Sequence, residues 1–197
     1  MVTAVPQMTS SRPVDYTSTA SLTFPEVYRQ YLAFVWRNAR GLGVQAAALD
    51  DVVQEIFVVV HRRLPDFAGH STLRTWLSAI VLNVVRHHRR TVKRKSPHEL
   101  ARGEPSDPED LHAKGHDPCE AAEMAEGTRL LQRLLDELDD GKREVLVLAE
   151  LEEMPVPEIA EVLGLKLNTA YSRLRLARHE FEQALARHRA QDRWRRP

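Results

Sequence analysis

The residues best suited to binding chemistry lie in a segment that predicts two short helices and a tight turn. Asn168, Tyr171, Arg175 and Arg178 recur every three or four residues and so share the outer face of the second helix. Asparagine and arginine can pair with base edges, and arginine also binds phosphate. The segment therefore predicts a nucleic-acid-binding helix. Its candidate contacts are Lys166, Asn168, Thr169, Tyr171, Ser172, Arg173, Arg175 and Arg178.

The elements that would position these side chains form a helix-turn-helix. Pro157 suits the first turn of the first helix, and Gly164 suits its left-handed exit. Asn168 or Thr169 is expected to cap the second helix. One stripe of that helix is apolar and predicted to be buried: Ala170, Leu174, Ala177, Phe181 and Leu185. The alternative interpretation is a helical hairpin with a solvated outer face.

Residues 86–95 form a second basic segment, with six arginines and lysines and no acid. Cations near a helix C-terminus gain only about 0.3–1 kcal/mol each from the helix dipole. Six of them in ten residues exceed that need. The segment therefore predicts a surface that contacts phosphate, whose salt-dependent affinity comes from lysine and arginine.

A third candidate surface is acidic. Asp51, Gln54 and Glu55 are spaced i, i+3 and i+4, so they stand together on one face of a predicted helix, opposite its buried stripe. Solvent exposure alone could explain such a trio. No feature of the sequence gives it another structural duty.

Metal binding and catalysis are the alternatives from a different functional class. His112, His116 and Cys119 have a spacing that suits zinc or another soft metal. These three residues lie in a polar segment without a fixed fourth ligand, so we expect no metal and no cofactor. The sequence has no Ser/His/Asp set, phosphate loop or paired carboxylates, and we expect no enzyme.

The whole chain predicts an all-α protein. Thr23 and Glu26 have capping-box spacing before a first helix that stops near residues 41–43. A second helix is predicted over Ala46–Arg63, and a third runs from a Ser71 or Thr72 cap to about Arg94. Sustained apolar/polar alternation, the signal of a strand, is absent from the sequence.

Composition divides the chain into two small helical domains. Residues 1–21 are predicted to be a disordered tail, and residues 96–125 a flexible acidic linker between domains 22–95 and 126–197. The formal net charge is zero, with 28 basic and 28 acidic residues, so only the distribution of charge favours nucleic acid. One cysteine and no apolar leader favour a reduced, cytoplasmic setting.

Three segments in order resemble bacterial sigma factors of the extracytoplasmic-function (ECF) type, in the sigma-70 family. DDVVQEIF at 50–57 resembles the segment that grips the polymerase clamp. STLRTWLSAIVLNVVRHHRR at 71–90 is similar to the stretch that meets the −10 element. REVLVLAELEEMPVPEIAEVLGLKLNTAYSRLRLAR at 143–178 is similar to the region that recognises the −35 element.

The resemblance implies a protein that binds core RNA polymerase and directs promoter-specific initiation, with domains 22–95 and 126–197 as sigma regions 2 and 4. Asp51, Gln54 and Glu55 would bind the polymerase. The −10 contacts would be Ser71, Thr72, Arg74, Asn83, Arg86, Arg89 and Arg90. The candidate contacts given above for the helix-turn-helix, from Lys166 to Arg178, would meet −35 DNA. An anti-sigma factor, or association between the two domains, would hide the polymerase-binding surfaces.

Two alternatives stay open from the sequence. The first is a helix-turn-helix regulator that acts without being a polymerase subunit, although such a regulator has no reason to carry the N-terminal half. The second is a metal-responsive sigma factor that uses His112, His116 and Cys119.

Overall fold

The computed structural model describes residues 23–95 and 118–195, which form seven α-helices and, within those ranges, no strand. The N-terminal half contains α1 (Phe24–Gly41), α2 (Ala46–Arg63), a short 3-10 turn (Leu64–Asp66) and α3 (Leu73–Lys95). The C-terminal half contains α4 (Pro118–Asp136), α5 (Asp140–Leu146), a π-helical turn (Val147–Leu151), α6 (Val156–Leu163) and α7 (Leu167–Arg195). The prediction of an all-α protein is confirmed.

Local signals explain where the N-terminal helices begin. The backbone amide of Thr23 donates to the Glu26 carboxylate at 3.1 Å, which forms half of the predicted capping box at α1. The hydroxyl of Thr72 accepts from the amide of Thr75 at 3.1 Å, so Thr72 rather than Ser71 caps α3. The second helix has the predicted bounds.

The helix-turn-helix is present, with one change at its second helix. Gly164 ends α6 at φ 67°, in the left-handed conformation that favours glycine. The amide of Ala170 then donates to the carbonyl of Lys166, so α7 begins at Leu167. The prediction that Asn168 or Thr169 caps this helix is therefore wrong. Both residues lie in its exposed first turn, because the helical hydrogen bonds start from the carbonyl of Lys166.

The helix α4 also begins earlier than expected, at Pro118, within the segment predicted to be a linker to residue 125. Its opening sequence, PCEAAEMA, has a proline suited to a first helical turn, followed by good helix formers. The predicted tail at 1–21 and linker residues 96–117 lie outside the described residues.

The buried stripes of the two halves meet in one core. Val35, Ile56 and Val81 are fully buried in the N-terminal half, as are Leu148 and Ile159 in the C-terminal half. The stripe of α2 opposite the acidic trio, Val53, Ile56, Phe57 and Val60, is entirely buried, and Ala170, Leu174 and Ala177 anchor α7. Tyr28 is 40% exposed, because its ring lies at the α1–α2 surface against Phe57, with centroids 4.7 Å apart.

The two halves pack directly on each other. Gly41, at the end of α1, approaches Val147 and Leu151 so closely that an added Cβ would lie 3.4 Å from both side chains. The middle of α3 faces α5, and its N-terminal turn faces α6. None of the described helices is long and apolar enough to cross a membrane.

Candidate nucleic-acid and protein interfaces

The acidic trio of α2 is open to solvent. Asp51, Gln54 and Glu55 are all exposed, while Val53 and Ile56 between them face the core. The structure therefore places the trio on one free face. Beside Gln54, α1 and α2 form an open groove of about 1110 Å³, whose lining includes Tyr28, Trp36 and Phe57.

The outer face of α7 is also available. Seven of the eight residues predicted for it are exposed: Lys166, Asn168, Thr169, Tyr171, Ser172, Arg175 and Arg178. Arg173 differs because its guanidinium turns back against Gly141 at the start of α5, 3.1 Å from the position of an added Cβ. Arg178 forms a 2.7 Å ion pair with Glu150 in which both side chains are about half exposed. The face thus presents amide, hydroxyl, phenol and guanidinium groups in two helical turns.

The basic face of α3, unlike the two surfaces above, is not fully exposed, because the C-terminal half covers part of it. Arg86 donates to both carboxylate oxygens of Glu144, from Nε at 3.0 Å and from Nη2 at 2.6 Å. Arg89 donates to the same carboxylate at 2.5 Å and to the carbonyl of Leu42 at 3.1 Å. The Glu144 side chain is only 4% exposed, and hydrogen bonding to it raises the pKa of Arg86.

A second contact lies near the start of α3, about half the length of that helix away. Arg74 pairs with Glu152 at 2.6 Å, and the Glu152 side chain is 1% exposed. The hydroxyl of Thr75 donates to the Glu158 carboxylate of α6 at 2.7 Å and also bonds that of Thr72 at 2.8 Å. Three of the seven residues predicted to meet −10 DNA, Arg74, Arg86 and Arg89, therefore bind acids of the other half directly, although Arg74 stays about half exposed. The other four are exposed: Ser71, Thr72, Asn83 and Arg90.

Comparisons with known proteins identify the family. Residues 27–95 match the family described as Sigma-70 region 2, and residues 128–180 match Sigma-70, region 4. The RNA polymerase sigma factor YlaC of Bacillus subtilis is 31% identical over 175 residues, which cover 85% of this chain and 95% of YlaC. This chain is an ECF sigma factor of the sigma-70 family.

Other relatives and solved structures agree. The ECF RNA polymerase sigma factor SigC of Mycobacterium tuberculosis is 33% identical, covering 73% of each chain. Among solved structures, CnrH in complex with the cytosolic domain of CnrY aligns with a TM-score of 0.58 at 27% identity, over 83% of this chain and 87% of that one. Sigma factor RpoE of Bartonella quintana, with the anti-sigma factor NepR, shares the fold at a TM-score of 0.65 and 19% identity, covering 83% and 96%.

Sequence reasoning missed the acids of this sigma factor that bind α3. Glu144 and Glu152 lie in the segment compared with region 4, where they look like ordinary polar positions between apolar residues. Their neighbour Arg143 is also buried, and burial lowers its pKa. The available signal was charge complementarity, since α3 carries surplus cations and residues 144–158 carry five acids.

The candidate metal ligands lie beyond what can be described. His112 and His116 are outside the described residues, and so is the side chain of Cys119. Within residues 23–95 and 118–195, the described side chains include no group of three or more His, Cys, Asp or Glu that could hold a metal ion.

Proposed function

We propose that domain 22–95 binds core RNA polymerase through Asp51, Gln54 and Glu55. The observation that supports this role is the exposure of all three side chains on one face of a helix whose other side is fully committed to the core. Charged groups that no fold contact requires are available for a partner, and a basic partner would suit two carboxylates. The adjoining groove could take an apolar side chain of the same partner.

DNA contacts divide between the two domains. In domain 126–197, Asn168 and Arg175 are the side chains of α7 best suited to pair with −35 bases, and Arg178 is suited to a phosphate. In domain 22–95, the start of α3 meets the −10 element and its basic end follows the promoter backbone. The chain between the end of α3 and the start of α4 connects the two domains.

This sigma factor has no catalytic role of its own in the proposal, because the polymerase supplies the chemistry, and it acts in the cytoplasm with that enzyme. The structure of CnrH contains the cytosolic domain of CnrY, and that of RpoE from Bartonella quintana contains the anti-sigma factor NepR. By analogy, a protein inhibitor of the anti-sigma type is a candidate partner of this chain.

Charge reversal on α2 tests the proposal. In the Asp51→Lys/Glu55→Lys variant, affinity for purified core polymerase should fall by about 30-fold or more, since breaking a charge pair across an interface costs about 2–5 kcal/mol. Helical content should not change, because both side chains are exposed. Glu126→Lys/Glu182→Lys is the matched control, with the same change in charge at exposed positions of α4 and α7. Equal core binding by the two double variants would refute the assignment.

A further inference from the structure

The helix α7 extends well beyond the part of the chain that matches Sigma-70, region 4. The match ends at residue 180, whereas α7 runs to Arg195. At a rise of 1.5 Å per residue, residues 181–195 add about 22 Å of helix. Of the described side chains of α7, Ala184 is the last that is fully buried, whereas Arg187 and Arg189 are exposed. The end of α7 therefore projects past the core of its domain.

This projecting end is strongly basic. Residues 187–196 contain five arginines and one acid, Asp192. The helix dipole favours cations within the last turn, so it does not account for Arg187 or Arg189, which lie further from the end. Arg187 has a partner, because it forms a 2.6 Å ion pair with Glu137. Arg189 is exposed and has no ion pair within the described part of the chain, so it is available to an anion from outside.

Helical register places Arg189 on the face of α7 that was assigned to −35 DNA. Arg189 follows Arg175 by 14 residues, close to four turns of 3.6 residues, and Arg193 follows Arg175 by 18 residues, which is five turns. The backbone is helical over this whole span. Positions 189 and 193 therefore share a stripe with Arg175, about 21–27 Å along the axis. Glu182 is exposed on the same stripe, so the stripe offers two separate basic points rather than a continuous basic surface.

Continuity with the −35 face favours DNA over an acidic protein as the partner of this end of α7. Asn168 and Arg175, at the start of the stripe, are suited to base edges, and an arginine further along the stripe faces the same side of the helix. Arginine binds phosphate in any sequence, so a contact there adds affinity without reading bases. A spacing of 21–27 Å corresponds to about six to eight base pairs of 3.4 Å each.

We propose that Arg189 and Arg193 form a distal site that binds backbone phosphates about six to eight base pairs from the −35 bases. The proposal rests on the −35 role proposed for α7 and extends that role beyond the matched family region. A duplex curves away from a helix whose start lies in its major groove, so the flanking DNA bends toward α7 when the distal site is occupied. The distal site therefore sets the path of the flanking DNA as well as part of the affinity.

The length of the flanking DNA tests the distal site with the full chain, whose −35 face is exposed. A −35 site selected from a random library is prepared as a short duplex, with about three flanking base pairs on each side, and as two longer duplexes in which one flank or the other is extended to about twelve. We expect affinity to rise roughly five-fold when the flank that lies along the end of α7 is extended. Extension of the opposite flank should change nothing.

Removal of the distal arginines should abolish this gain. Arg189→Ala/Arg193→Ala should bind the short duplex as the wild type does. On the long duplex its salt slope should be smaller by about two, since each phosphate contact contributes roughly 0.9. Alanine is a strong helix former, so far-UV circular dichroism should show unchanged helical content. Arg29→Ala/Arg133→Ala is the matched control, with the same change in charge at exposed positions of α1 and α4, and it should keep the gain.

The outcomes separate the possible failures. Equal affinity of the wild-type chain for all three duplexes would overturn the distal site and leave the −35 role of α7 intact. A gain that persists in Arg189→Ala/Arg193→Ala would also overturn the distal site, because another basic surface would then bind the flank. If the wild-type chain selected no sequence from the library, the −35 role of α7 would be wrong, and the distal site would fall with it.

Discussion

Gly43 offers a direct test of how firmly the two halves are joined. It lies between α1 and α2 at φ 96°, a conformation that L side chains rarely adopt. A Cβ added there would collide with Nη1 of Arg143, which comes from α5 of the other domain. Gly69 has a similar φ of 72°, but an added Cβ would have no atom within 4 Å. The two glycines thus form a matched pair within the N-terminal half.

The structure sets the expected difference between them. Gly69→Ala should cost only the left-handed backbone strain, about 1 kcal/mol. Gly43→Ala carries the same strain and must also displace the Arg143 guanidinium. That group is 9% exposed, and its Nε donates to the carbonyl of Leu135 at 2.8 Å. Loss of a hydrogen bond from a charged group adds about 1.5–3 kcal/mol, so the total for Gly43→Ala is roughly 2.5–4 kcal/mol.

Urea unfolding followed by circular dichroism measures both changes, and the slope of each transition shows whether the halves unfold together. If Gly43→Ala cost no more than Gly69→Ala, Arg143 would be free to move and the close interdomain contact would have no energetic weight. Gly43→Ala should destabilise both halves, because the collision involves a side chain of the C-terminal half. A loss of stability confined to the N-terminal half would contradict this expectation.

Two further predictions concern the C-terminal domain. On −35 sites selected from a random library, Arg175→Ala should relax preference at one base position. Arg178→Ala should instead weaken all sites about equally and lower the salt slope by about one, and titrations at two salt concentrations distinguish the two outcomes. Asp139 accepts from the Lys142 amide at 2.9 Å as the N-cap of α5, so Asp139→Ala should cost about 1 kcal/mol and Asp139→Asn much less. The hydrogen bond from the Lys142 side chain lowers the pKa of Asp139 below its ordinary 3.8. The stability that ionised Asp139 contributes should therefore be complete above pH 3.8 and be lost as the pH falls through the pKa of Asp139 in the folded protein. Measuring the free energy of unfolding as a function of pH in the acid range checks this expectation.

Secondary structure was largely predictable because its signals are local. The bounds of α2, the cap of α3 and the glycine exit of α6 each depend on residues within a few positions of one another. The start of α7 was missed by two or three residues because Asn168 and Thr169 are good caps that the backbone did not use. Trp76 is partly buried against the core, with its ring centroid 5.2 Å from that of Phe67.

The candidate surfaces were predictable for the same reason, but whether each surface is exposed or covered by another part of the chain was not. Helical periodicity is enough to place Asp51, Gln54 and Glu55 on one face, or Asn168 and Arg175 on another. Whether such a face meets solvent, a partner or another part of the chain depends on contacts between residues far apart in sequence. Arg86 and Glu144 are separated by 58 positions, and Arg74 and Glu152 by 78.

The pairing of Glu144 and Glu152 with arginines of α3 shows why charge counts mislead for this chain. The surplus of cations on α3 predicts a polyanion, and promoter DNA is the polyanion that the family implies. The same surplus is equally well met by acids of the chain itself, and Glu144 meets it with two arginines at once. A surface that binds DNA must be strongly basic, so it will attract any acidic face tethered nearby. In this chain, which has no net charge, acids of the C-terminal half meet part of the positive charge of α3.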